Sequence, residues 1–392
     1  MGDFLMTSYQ HLPVAFTHGE GACLYDTQGQ KYLDALSGIA VCGLGHAHPQ
    51  LQQAIAEQAG RLLHTSNLYH VPLQEELAKQ LSGLSRMDRV FFCNSGAEAN
   101  EAAIKIARLH GHGKGIACPQ IIAAHGSFHG RTMATLSATG NSRIQAGFEP
   151  LLDGFMHIAY NDIAALEDAV SNNPDVVAIM LEPVQGEGGI NIPEQGYLAA
   201  VRKICDQHEL LFMLDEIQSG MGRTGKWFAF QHEGIIPDVM TLAKALGNGV
   251  PIGACLASGD AAGLIKPGSH GSAFGGNPLA ARAGLTVINI MREQDLNKRA
   301  RYLGEMMLQQ LQSGLQDIAG VTAIRGKGLM IGIEIDRDCG ELVKTALREG
   351  LLINVTAGNV VRLLPPLVIT DEQAELIVQS VCRLVRNFLD QA

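Results

Sequence analysis

The chain has 392 residues, 46% of them hydrophobic and 17% charged, enough for two or three domains or for one large and one small lobe. A formal net charge of −10 leaves no basic excess for nucleic acid or an anionic membrane, although a few local arginines suffice for a small anion. The eight cysteines stand singly, with neither zinc nor redox spacing, so reduced thiols and a cytoplasmic setting are expected.

Taken in chain order, the N-terminal MGDFLMTSYQHLP has no apolar run of signal-peptide length, and Met6 stands where a myristoylation pattern needs Ser or Thr. No stretch approaches the length of a membrane span. Between Leu12 and Leu36, short apolar groups alternate with turn signals, which predicts small strands and hairpins. PQLQQAIAEQAGRLLH, from Pro49, and PLQEELAKQL, from Pro72, carry apolar residues three and four apart and predict helices. VVAIML (Val176–Leu181) and LLFML (Leu210–Leu214) are too brief for helices and predict buried strands, with the amphipathic helix GYLAAVRKICDQHEL between them. That order predicts an α/β domain with a largely parallel sheet covered by helices. After Pro278 come long helices, the strand-like LMIGIEI and LLINV, and a final helix, together a smaller α+β lobe. The expected division is 1–48 as an N-terminal segment packing with that lobe, 49–284 as the large domain and 285–392 as the lobe.

Lys244 lies in VMTLAKALGNG, where burying a cation is expensive. Desolvation would free its amine for attachment to a carbonyl; alternatively the side chain snorkels from a half-buried element. Asp215 ends LLFML, at the carboxyl edge of a strand, where open α/β sheets bind ligands. A carboxylate there keeps a pyridine nitrogen protonated, or simply caps the next helix. In NSGAEANEAAIKIARLH, Ser and Gly open an Ala-rich helix whose free amides suit a phosphate, though many helices begin with such a cap. GMGRTGKW nearly matches a phosphate-binding loop, but Trp227 stands where magnesium needs Ser or Thr, and no dinucleotide fingerprint follows a strand. His46/His48 and His110/His112 have no Cys or carboxylate beside them and are expected to be structural rather than metal ligands.

SGAEANEAAIK, FHGRT (Phe128–Thr132), LEPVQGEGG (Leu181–Gly189), LDEIQSGMGRTG (Leu214–Gly225), LAKALGNGVPIGA (Leu242–Ala254) and HGSAFGGNPLA (His270–Ala280), in this order, resemble class III pyridoxal-phosphate-dependent aminotransferases from about Leu12 to the C-terminus. LDALSGIAVCGLGHAHP, TSNLY and VVRLLPPLVI are most similar to the family's bacterial acetylornithine branch. The resemblance implies a fold-type-I enzyme, with a large α/β/α domain plus a smaller α+β domain, acting as a homodimer with active sites at the interface. It implies pyridoxal 5'-phosphate as cofactor and ping-pong transfer of the terminal amine of N2-acetyl-L-ornithine to 2-oxoglutarate, within arginine biosynthesis. Lys244 would carry the cofactor, Asp215 pair with its ring nitrogen and Gln218 with its hydroxyl. Phe128 and Ile217 would cover the ring faces, Ser95, Gly96 and Ala97 hold the phosphate, and Glu216 would complete the cofactor set. Arg131 and Arg362 would clamp substrate carboxylates. Glu187 would pair with Arg362 while the diamine donor is bound, and Ser272 would serve the substrate side.

Ile39 stands where ornithine aminotransferases usually carry a Tyr for the free α-amino group, which favours an N-acylated donor. Ala273 stands where the family usually has a Thr reaching the phosphate across the dimer interface, a lost bond worth roughly 1.5–3 kcal/mol unless Ser272 or a backbone amide compensates. Succinylornithine, succinyl-diaminopimelate, ornithine and GABA aminotransferases are the rival enzymes. A catalytically silent binding protein on the same fold is the rival outside enzymology.

Overall fold

A computed structural model describes residues 4–390; residues 1–3 and 391–392, which the expected N-terminal segment and small lobe include, lie outside it. Its centre is a seven-stranded sheet, ordered Arg89–Cys93, Gly253–Ala257, Val239–Leu242, Leu211–Asp215, Val176–Leu181, Gln120–Ala124 and Phe155–Ile158. All pairings are parallel except those of Gly253–Ala257, which runs antiparallel to both neighbours. Val176–Leu181 and Leu211–Asp215 are buried along their whole length, as continuous apolar runs require when both sheet faces are covered. Alternate residues part to opposite faces. Ala178 and Met180 pack with Ala103 and Ile106 of the helix Gly96–Gly113, whereas Ile179 and Leu181 pack with Val201 and Ile204 of the helix Tyr197–His208.

The N-terminal strands Phe16–Glu20, Cys23–Asp26 and Lys31–Asp34 form an antiparallel sheet, as their turn signals predict. The predicted helix from Pro49 stops at Ala59, where Gly60 follows, so the apolar Leu62 and Leu63 lie in an exposed turn instead. LLINV is not one strand. Leu351–Leu352 pairs in parallel with Lys31–Asp34, while Asn354–Thr356 joins the C-terminal sheet of Val321–Lys327, Met330–Ile335 and Val360–Leu363. Segments far apart in the sequence are thus joined by strand pairing. The helix Pro278–Glu293 spans positions 284 and 285 and packs on Pro49–Ala59 and Pro72–Ser85. Among the described residues no helix is long and apolar enough to cross a membrane.

Candidate active site

The carboxyl ends of the parallel strands open onto a cavity of about 400 Å³. Asp215 closes its own strand in register with Thr241 of the next one, and Lys244 lies three residues beyond. Both line the cavity. Lys244 is partly buried, and desolvation lowers its ammonium to about 8 against the opposing pull of Glu187.

Asp215 is buried, and its Oδ2 accepts hydrogen bonds from Asn100 Nδ2 and from His129 Nδ1, each at 2.8 Å. A carboxylate only accepts, so Nδ1 of His129 carries the proton. Burial works against a charged imidazole there, but the bond to Asp215 outweighs it and raises His129. Asn100 is fixed in turn, donating to the carbonyl of His129 and accepting from Thr241 Oγ1 at 2.7 Å.

At the opposite side, the helix Gly96–Gly113 aims its start at the cavity. Ser95 caps it, its Oγ accepting from Glu98 N at 3.2 Å, so the first-turn amides of Gly96 and Ala97 have no partner within the helix. The approach is tight. A Cβ on Gly253 would stand 2.3 Å from the carbonyl oxygen of Ser95, so only glycine permits the neighbouring strand to pass. Phe128 and Ile217 supply apolar lining, and Arg131 lies exposed at the rim with its guanidinium carbon 5.7 Å from the Phe128 ring centroid.

Arg362, in the C-terminal lobe, is wholly buried, yet donates to Glu187 Oε1 at 2.7 Å, to Asn354 Oδ1 at 3.1 Å and to Gln218 Oε1 at 3.4 Å. Its second terminal nitrogen has no partner. Burial alone would raise Glu187; the guanidinium overrides it and holds the carboxyl below its ordinary value.

These groups fit a flat heterocycle bearing a phosphate: free amides at a helix start, a hydrogen-bonded carboxylate, an amine of lowered basicity and apolar side chains between. Three of the expected residues do not line this cavity in their own chain. Glu216 does not face the cavity, because its carboxyl is tied to Ser219 Oγ at 2.6 Å and to the amide of Phe230 at 2.9 Å, and burial raises it to about 7. Ser272 is outside the cavity of its own chain, its Oγ bonded to Asn94 Nδ2 and to the amide of Gly275. Ile39 packs beside Leu36 and Ile192 on a small apolar cluster; Val41 is the residue of that segment that reaches the cavity. Asn100, His129, Thr241 and Glu182 were not anticipated, although all but Thr241 lie within the family-like motifs. Polar residues in apolar runs at a sheet edge were the available signal. The fold also brings Asp34, twelve residues earlier in LDALSGIAVCGLGHAHP, to His46 at 2.8 Å.

A family model described as "Aminotransferase class-III" matches residues 4–385. The acetylornithine aminotransferase of Nitrosomonas europaea is 56% identical over 98% of both chains. Among solved structures, the ornithine aminotransferase of Toxoplasma gondii superposes with a TM-score of 0.96 at 34% identity, covering 100% of this chain and 94% of that one. The acetylornithine aminotransferase of Elizabethkingia anophelis does so with a TM-score of 0.87 at 36% identity, covering 97% and 96%.

Proposed function

The chain belongs to the class-III aminotransferases, enzymes that use pyridoxal phosphate, and from that membership we propose N2-acetyl-L-ornithine as amino donor and 2-oxoglutarate as acceptor. The products are N-acetyl-L-glutamate 5-semialdehyde and L-glutamate, a step of arginine biosynthesis. The observation that carries this choice is the 56% identity, over nearly the whole chain, to a protein named for acetylornithine. The higher TM-score of an ornithine enzyme reflects a shared fold at 34% identity and does not weigh against it.

When bound, the cofactor supplies a carbonyl carbon that takes the amine and a ring that accepts the electron pair left on the substrate carbon. Lys244 Nζ would hold the cofactor and carry the proton to and from the substrate carbon; its lowered basicity suits both directions. Asp215, oriented by Asn100 and His129, would pair with the ring nitrogen. Gln218 would take the ring hydroxyl, and Phe128 and Ile217 would exclude water from the ring faces. Ser95 with the amides of Gly96 and Ala97 receives the phosphate. Arg131 binds the carboxylate common to both substrates. Arg362 takes the second carboxylate of 2-oxoglutarate once Glu187 yields it, and keeps Glu187 while the donor occupies the site.

A homodimer completes the reading. Leu68, Tyr69 and Phe274 are respectively 85%, 70% and 61% exposed, on two segments joined by hydrogen bonds from Asn67 to the carbonyls of Ser272 and Gly275. Such a cluster favours a protein partner, which would bring Ser272 toward a neighbouring site. All eight cysteines are free, in keeping with a reducing cytoplasm. The test is a donor panel. Acetylornithine should bleach the bound cofactor's absorbance and 2-oxoglutarate restore it; faster turnover of free ornithine would overturn the choice of donor.

A further inference from the structure

Glu182 has no place in the roles above. It follows Val176–Leu181 directly, is only 6% exposed on the cavity wall, and its two carboxyl oxygens point to different loops. Oε1 accepts from the amide of Phe128 at 2.9 Å and Oε2 from that of Gly186 at 3.1 Å. Phe128 opens the segment that also presents His129 and Arg131 to the cavity. Gly186 immediately precedes Glu187, the partner of Arg362. Burying a carboxyl is costly unless its oxygens are hydrogen-bonded, and here the two amides meet that need. Farther out, Gln185 Nε2 donates to the carbonyl of His125 at 2.9 Å, a neutral link between the same loops.

We propose that Glu182 is a positioning residue of the amino-transfer site, a carboxylate clamp that fixes the aromatic wall at Phe128 against the loop bearing Glu187, on the cavity that Lys244 also lines. The inference rests on the aminotransferase reading. His129, Asp215, Lys244 and Tyr160 are the titratable groups that face this carboxyl. Burial, with Asp215 acting in the same sense, pushes it to about 7, against His129 and the two amides. Its ionised form favours a proton on Lys244 Nζ, and the clamp is therefore most polarising above neutrality.

Glu182→Gln and Glu182→Asp holoenzymes, read beside wild type, test this. Glutamine has one acceptor oxygen and turns an NH₂ toward the second amide, so the clamp opens while the volume is kept. The pH midpoint of the cofactor's visible absorbance should fall by about 0.5–1 unit in the Gln variant, because a neighbouring negative charge is lost. KM for both substrates should rise about fivefold or more. Aspartate keeps the charge with a shorter reach, so KM should rise while the midpoint holds. A Gln variant with the wild-type midpoint and KM, however much its melting temperature falls, overturns the assignment. If that variant does not fold, an Asp variant with unchanged KM does the same. A wild type that no donor bleaches sinks the aminotransferase reading and this assignment with it; a bleachable wild type with indifferent variants sinks the assignment alone.

Discussion

The amine of Lys244 is held on a backbone that few lysines adopt, with φ at +46°, a left-handed conformation costing about 1 kcal/mol or more outside glycine. That strain is tolerated where the surrounding strands and the cavity leave no alternative path. The lowering of its ammonium to about 8 has a kinetic consequence. Only the neutral amine attacks a carbonyl, so the lowering enlarges the reactive fraction near neutral pH relative to an ordinary lysine. Recombination of the cofactor-free protein with pyridoxal phosphate should therefore speed up as pH rises toward 8 and level off above it. A rate that keeps climbing to pH 10 would show an ordinary lysine. Lys244→Ala should lose at least about 10⁴-fold in turnover, since both cofactor attachment and proton transfer go with it, and single-turnover absorbance measures this directly. Comparable activity in the variant removes the lysine from its assigned role.

At the scale of elements, the start of the helix Gly96–Gly113 depends on a neighbour distant in sequence. Gly253, on the antiparallel strand, leaves room for the carbonyl of Ser95, and a Cβ there would also meet Cys93 Sγ at 2.8 Å. Gly253→Ala should displace the helix start and weaken cofactor binding about 10- to 100-fold, the worth of one hydrogen bond to a charged group. Cofactor titration by absorbance is the measurement, and an unchanged Kd would mean that the amides are not the anion site. Element boundaries also explain where sequence reading fell short. VVAIML is a strand as read, because its burial on both faces leaves a continuous apolar signature. LLINV has the same signature, yet splits between two sheets at Ile353, because pairing partners from opposite ends of the chain compete for it. No local pattern records that competition.

For the whole molecule, Arg223 ties together segments distant in sequence. It is wholly buried, and its NH1 donates to the carbonyls of Leu329 at 2.9 Å and Pro365 at 2.6 Å, with Ser37 Oγ 3.5 Å from NH2. One side chain thus joins three parts of the sequence, close to the strand that carries Arg362. Arg223→Leu should cost roughly 2–4 kcal/mol, two charge-assisted bonds lost and partly offset by relieved desolvation, and denaturant unfolding reads it. A midpoint within experimental scatter of wild type would mean that these segments are held by apolar contacts alone. The residue lies in GMGRTGKW, the segment that mimics a phosphate loop in sequence and serves in the fold as a fastener.

What the sequence determined by itself was the chemistry-bearing set and its class: a lysine in an apolar run, a carboxylate ending a buried strand, a helix opening on Ser-Gly, and motifs in family order. These are local signals, since desolvation, strand burial and helix starts are properties of a few consecutive residues. Tertiary structure alone decided which neighbours tune them. Asp215 with His129 and Asn100, Arg362 with Glu187, and Glu182 between two loops are contacts across long sequence separations. The turning of Glu216 and Ser272 away from the cavity was equally a matter of three-dimensional placement. Hydrogen bonds depend on distance and angle, and only the folded chain sets those.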